Sequence, residues 1–199
     1  MHCTEQKELD FEGRSIAYFE SNIENRNKAL LLHGYSFESG VWERAGVIES
    51  LNRLGYASYA LDVPGFPNSR NKMRINEQQI YGLLSAMINK VLNAKPLLIG
   101  ASASGHIALK FAERYESGIR ALVAIGPVNF ESIDIGKIAV PILGVWGSKD
   151  RISDAKNGAA IFKSAGKSAV IIAGAGHACY LEKPNEFSKA IGEFVKTLP

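Results

Sequence analysis

Gly100-Ala101-Ser102-Ala103-Ser104-Gly105 joins a short apolar run, Leu97 to Ile99, to an amphipathic stretch that starts at His106. A serine in a tight turn of small residues between a strand and a helix projects its hydroxyl above the sheet, near the positive end of the helix. The flanking positions must be small so that strand and helix can pack. Gly100 and Ser104 meet that demand, with Gly105 just beyond. The same pattern recurs at Gly13-Arg14-Ser15-Ile16-Ala17, where no helix follows, so Ser15 reads as structural. Ser104 as the nucleophile would put His106 where a small residue is needed. Ser102 is the candidate nucleophile, and it needs a base and an acid that orients the base.

The chain has 4 histidines, so each can be weighed. His2 lies at the terminus, and His33 reads as a turn-stabilising residue in His33-Gly34-Tyr35-Ser36. His106 opens a helix and should turn its ring away from Ser102. His177, in Gly174-Ala175-Gly176-His177-Ala178-Cys179, follows the last apolar run on a loop able to reach the elbow, and is the candidate base. Among the aspartates, Asp10 falls in a hairpin, Asp62 in a turn before Val63-Pro64-Gly65, Asp134 in a short connection and Asp154 at a helix cap. Asp150 ends Trp146-Gly147-Ser148-Lys149-Asp150 just past a buried run, which makes it the candidate orienting acid. An oxyanion hole needs two backbone N–H groups. The Ala103 amide follows the nucleophile, and the Tyr35 amide lies on the loop after the third strand, where Gly34 permits a tight turn. Cys179 reads as packing, since a thiol nucleophile would need an elbow of its own.

These residues have to be positioned by a sheet. Ala29–Leu32, Ala57–Leu61, Leu97–Ile99, Ala121–Ile125, Ile142–Trp146 and Ala169–Ile172 are continuous apolar runs, the pattern of parallel strands buried on both faces. Amphipathic stretches at Val41–Leu54, Asn76–Val91, His106–Tyr115, Asp154–Ser164 and Pro184–Leu198 alternate with them, and Asn76 with Gln79 has capping-box spacing. Leu9–Phe11 and Ile16–Phe19 flank Glu12-Gly13 as an antiparallel hairpin. The expected architecture is a three-layer α/β domain over residues 1–199, with about eight strands, mostly parallel. Only Asn129–Ala139 separates the sixth strand from the seventh, too short for a lid domain. Gly174-Ala175-Gly176 and Gly100–Gly105 carry glycines like nucleotide-binding loops, but Cys179 and His106-Ile107 stand where those motifs need other residues.

The 199 residues suffice for one sizeable core, and 46% apolar with 22% charged residues is ordinary for a globular chain. The net charge of +3 is spread along the chain, against a nucleic-acid binder. No apolar run is long enough to span a bilayer, and the polar Met1–Asp10 is unlike a signal peptide. Cys3 and Cys179 alone make neither a disulfide framework nor a zinc site, so no metal and a cytoplasmic location are expected. No residue pattern identifies a protein partner.

Leu31-Leu32-His33-Gly34, Asp62-Val63-Pro64-Gly65, the serine elbow, Trp146–Asp150 and Gly174–His177 together resemble the α/β-hydrolase superfamily, whose order of catalytic groups is Ser…Asp…His. Ser102-Ala103-Ser104-Gly105, with Cys179-Tyr180-Leu181 and Lys183-Pro184 after the histidine, is similar to small lid-less hydrolases of the CIB type, which have serine where most of the superfamily has the glycine matching Ser104. The resemblance implies an α/β-hydrolase fold and a Ser-Asp-His hydrolase without cofactor; a small-molecule acyl substrate is the expected partner. The function expected is hydrolysis of carboxylic esters, with amides and thioesters open to the same chemistry. The rival is an interaction or ligand-binding protein on this fold. Tyr35, Phe37, Trp42, Val128, Phe130, Ile152 and Cys179 are expected, by position, to wall a shallow acyl cleft.

Overall fold

The computed structural model of the chain describes residues 4–115 and 118–199; His2 and Cys3, weighed above, lie outside the described residues. Two strands open the chain, β1 (Glu5–Phe11) and β2 (Arg14–Ser21), paired antiparallel across the Glu12-Gly13 turn. Six more follow: β3 (Asn27–Leu32), β4 (Tyr56–Leu61), β5 (Leu97–Ala101), β6 (Ala121–Ile125), β7 (Ile142–Gly147) and β8 (Ser168–Ile172). They form one sheet in the order β1-β2-β4-β3-β5-β6-β7-β8, parallel from β4 to β8.

The apolar runs are continuous because each strand feeds two cores. Along β3, Leu30 and Leu32 join one core while Ala29 and Leu31 join the other. Leu122 and Ala124 of β6 likewise face away from Ala121, Val123 and Ile125, as the two-residue period of a strand requires. On the first face pack α3 (Glu77–Ala86), α4 (Ala103–Arg114) and α5 (Ala155–Ser164). On the second lie α1 (Val41–Arg44), α2 (Val47–Arg53), α6 (Cys179–Glu182) and α7 (Pro184–Val195).

Several helix bounds differ from the sequence pattern for identifiable reasons. The single stretch expected over Val41–Leu54 is broken at Gly46, whose φ of 68° is left-handed. The third helix starts on the expected capping box, with the Gln79 N–H donating to Asn76 Oδ1 at 2.9 Å, and then widens into a π-helical turn over Met87–Leu92. The chain from β6 to β7 holds only two short 3-10 turns, Phe130–Ser132 and Ile135–Lys137, so no lid domain covers that end of the sheet. No helix among the described residues is long and apolar enough to cross a membrane.

The topology marks one place for a site. From β3 the chain goes to β4 on one side and then returns to β5 on the other. The carboxyl ends of β3 and β5 therefore diverge into a crevice, where open parallel sheets bind their ligands.

Candidate active site

At the carboxyl end of β5 the backbone turns sharply into α4, and Ser102 adopts φ 55° and ψ −116°. Such a conformation costs a non-glycine residue about 1–3 kcal/mol and persists only where its surroundings enforce it. Here the Ser102 N–H donates to the Ile125 carbonyl at 2.8 Å, and the Ser102 carbonyl accepts the His106 N–H at 3.1 Å. The demand for small residues is steric. A side chain at Gly100 would collide with the Ser104 backbone, and one at Gly105 would sit 3.1 Å from the Gly100 carbonyl oxygen.

Two other strand ends bring their side chains to this turn. After β8, the loop carrying His177 is fastened to the turn after β7: Lys149 N–H donates to the Ala175 carbonyl at 2.8 Å, and Gly174 N–H donates to Ser148 Oγ at 2.9 Å. Glu182, on α6, accepts the Gly176 N–H at 2.9 Å and holds the same loop from its far side. The Asp150 side chain is fully buried, and its Oδ1 accepts the N–H groups of Ile152 (2.8 Å) and Ser153 (3.0 Å). Its other oxygen, Oδ2, lies 2.8 Å from His177 Nδ1, and His177 Nε2 lies 2.9 Å from Ser102 Oγ. The carboxylate can only accept, so Nδ1 carries the proton and Nε2 is free to accept from the serine hydroxyl. The three residues thus form one hydrogen-bonded chain that runs from a buried carboxylate to a hydroxyl at the cleft.

The cleft above Ser102 has a volume of about 240 Å³. Gly34, Tyr35, Ser36 and Phe37 form the wall after β3; Ala101 and Ile125 lie at the floor; Ile152, His177, Ala178 and Tyr180 close the other side. Tyr35 and Ile152 stand at the rim, 54% and 66% exposed. Of the expected walls, Tyr35, Phe37 and Ile152 are there. The other four do not line it. Trp42 is fully buried beneath the cleft, its ring 4.9 Å from that of Tyr180, which takes the wall position instead. Phe130 tucks into the core on the opposite face of the sheet, 6.1 Å from the Trp146 ring. Cys179 points inward from α6 and is fully buried. Burial, reinforced by the Asp150 charge, pushes its thiol up to about 12, so it is no thiolate nucleophile. Val128 does not line the cleft either.

Ala103 is the first residue of α4, so its N–H has no acceptor within the helix. Across the crevice, the Gly34 carbonyl accepts the Phe37 N–H at 3.0 Å and faces His33 Nδ1 at 2.9 Å. His33 is fully buried, and its Nε2 accepts the Val63 N–H at 2.9 Å. Its ring is therefore spent on the loop and takes no part in the Ser102 chain. A residue that sequence reasoning missed is Gly126. With φ 46°, it sits where a Cβ would lie 3.1 Å from both Asp150 Oδ2 and His177 Nδ1. In the sequence it looks like an ordinary strand terminator before Pro127. Tyr180 was missed for want of a signal, since its helix is only four residues long.

A strained serine elbow, a buried carboxylate paired with a partly exposed histidine and an eight-stranded sheet of this order define the α/β-hydrolase fold. Residues 30–135 match the α/β hydrolase fold family, and the chain belongs to it. Its relatives include ABHD14A of Danio rerio, 33% identical over 194 residues that cover 96% of this chain and 69% of that protein. ABHD14B of Rattus norvegicus, whose name proposes a protein-lysine deacylase, is 29% identical over 96% of this chain and 95% of its own. The crystal structure of a Thermoplasma acidophilum protein, predicted to be a CIB-like hydrolase, has TM-score 0.87 and 29% identity, with both chains fully covered.

Proposed function

We propose that this chain is a serine hydrolase that removes short acyl groups from small carboxylic esters through an acyl-enzyme on Ser102. The observation that supports this reading is the unbroken hydrogen-bond chain from Asp150 through His177 to Ser102, ending in an open, largely apolar cleft. Ser102 Oγ attacks the acyl carbonyl carbon while His177 Nε2 takes its proton. The Asp150 carboxylate holds the ring and stabilises the imidazolium. The N–H groups of Tyr35 and Ala103 bind the oxyanion. The leaving alcohol departs with the proton from Nε2, and water repeats the sequence to release the acid. No step needs a cofactor or metal.

The cleft, at about 240 Å³, falls below the roughly 300–1,000 Å³ of sites that enclose drug-sized ligands. Each buried methylene gains about 0.8 kcal/mol only where a surface covers it. Acyl groups of roughly two to four carbons are therefore the best substrates, and the rim of Tyr35 and Ile152 contacts the leaving group. A second reading extends the same chemistry to amides, acylated lysine side chains included. The name of ABHD14B favours it, at 29% identity over nearly the whole of both chains.

The deciding experiment pairs a fluorophosphonate probe with p-nitrophenyl esters from acetate to palmitate and with acetyl-lysine peptides. Labelling that disappears in Ser102→Ala, with kcat/KM highest at the short esters, is expected. Peptide deacylation faster than ester turnover would move the assignment to the amide reading. A wild-type chain that neither labels nor turns over would leave an interaction or ligand-binding protein on a hydrolase fold.

A further inference from the structure

The two N–H groups assigned to the oxyanion come from separate elements. Tyr35 lies on the loop after β3, and Ala103 begins α4. An oxyanion hole works only if both donors sit at fixed distances from one oxygen, so something must set the spacing between loop and helix. The sheet does not reach that far: the β3–β5 pairing ends at Leu32 with Gly100, before either donor. Beyond it, one hydrogen bond joins residues 33–37 to residues 102–106 among the described residues. Ser104 Oγ donates to the His33 carbonyl at 2.6 Å.

Both ends of this bond are fully buried. A shielded bond of that length is not exchanged for water, and its loss leaves a buried carbonyl unpaired. The His33 residue fixes orientation as well as distance. Its ring nitrogen Nδ1 must donate to the Gly34 carbonyl, because Nε2 is already accepting from Val63. The peptide between Gly34 and Tyr35 is planar and trans, so a carbonyl held toward the His33 ring turns the Tyr35 N–H the opposite way. Loop and elbow also approach closely: a Cβ at Gly34 would lie 3.6 Å from Ser102 Cβ.

We propose that Ser104 is a positioning residue, whose hydroxyl braces the His33 carbonyl and so sets the spacing of the Tyr35 and Ala103 oxyanion donors. This rests on the serine-hydrolase reading above. It also gives a reason for a serine at the position two after the nucleophile, where a glycine would pack equally well but could not make the bond.

The test compares Ser104→Ala, Ser104→Gly and Ser104→Cys with wild type in p-nitrophenyl acetate turnover, in inhibition by a methyl trifluoromethyl ketone, and in thermal unfolding. The ketone forms a tetrahedral oxyanion on the serine and so reads the hole directly. Losing one oxyanion donor outright costs about 10²–10³ in kcat, and misplacing a reacting group by an ångström about 10². Removal of the brace should lower kcat about ten- to a hundredfold in the Ala and Gly variants, with KM within twofold. Ketone inhibition should weaken by the same factor, and the pH profile of kcat should keep its shape. Cysteine, a weak donor of similar size, should fall between. The Gly variant keeps the measurement available should Ala fold poorly. A purely structural serine would shift the melting temperature while leaving kcat and the inhibition constant of the folded protein as in wild type. That outcome in an active protein would overturn this inference alone. A wild type without turnover would overturn both it and the hydrolase reading.

Discussion

Gly126→Ala is a backbone-level probe of the Asp150–His177 pair that touches neither residue's chemistry. Two costs follow from the geometry. The φ of 46° is left-handed, which costs an alanine about 1–2 kcal/mol. The added Cβ would then sit 3.1 Å from Asp150 Oδ2 and from His177 Cε1 and Nδ1, about 0.4 Å inside the roughly 3.5 Å of an unstrained contact. Asp150 cannot yield, because its side chain is fully buried with Oδ1 held by two N–H groups. The His177 ring is 22% exposed and gives way toward solvent. Its 2.9 Å contact with Ser102 Oγ then lengthens to about 3.3 Å, past the useful range for such a bond. If an ångström costs about a hundredfold, this displacement costs about five- to tenfold in kcat. The strain lowers the melting temperature by about 2–8 °C at this chain length. Gly166→Ala is the control, since Gly166 has the same left-handed conformation (φ 71°) with nothing within 4 Å of its would-be Cβ. It should lose comparable stability and no activity. Equal kcat in the two variants would refute the steric argument and the placement of the ring that underlies it.

Other substitutions separate the remaining roles. Asp150→Asn should keep KM and lose about 10³–10⁴ in kcat, because the amide favours the wrong imidazole tautomer; steady-state kinetics on an acetate ester checks this, and a loss under tenfold would remove Asp150 from the machinery. Phe130→Ala should cost about 3–5 kcal/mol in urea unfolding with KM unchanged, as befits a core residue rather than a cleft wall; a KM effect without destabilisation would reverse that placement. Burial and then the Asp150 charge raise the Cys179 thiol from 9.0 to about 12. A raised acid keeps its full stabilising effect below its unfolded value and loses it as pH climbs through the window from about 9 to 12, by about 4 kcal/mol at most. Urea midpoints across that range should fall less steeply in Cys179→Ala, and equal slopes would contradict the buried-thiol placement.

The sheet was legible because burial on both faces writes itself into the sequence as continuous apolar runs. Leu30, Leu31 and Leu32 feed opposite cores yet are all apolar, which a half-exposed strand would not allow. What escaped were features without a pattern of their own. The π-helical turn at Met87–Leu92 has the same apolar spacing as the helix it extends. Helix α4 begins at Ala103, three residues before the amphipathic stretch at His106, because the elbow makes Ser102 the helix cap whatever the polarity of the residues between.

The site divides along the same line. Chain order and strand-end position single out Ser102, Asp150 and His177, and the structure brings their side chains within hydrogen-bond distance of one another. The cleft walls depend instead on which way a side chain leaves a short turn. Trp42 and Tyr180 are both large buried aromatics near the same loop, their rings tilted against each other at 4.9 Å, yet only Tyr180 borders the cleft. Phe130, one turn past β6, crossed to the opposite core. Helices of four residues and 3-10 turns of three give no period from which to read a facing direction. Residue type locates such side chains near a site, and only packing decides whether they line it or support it from behind.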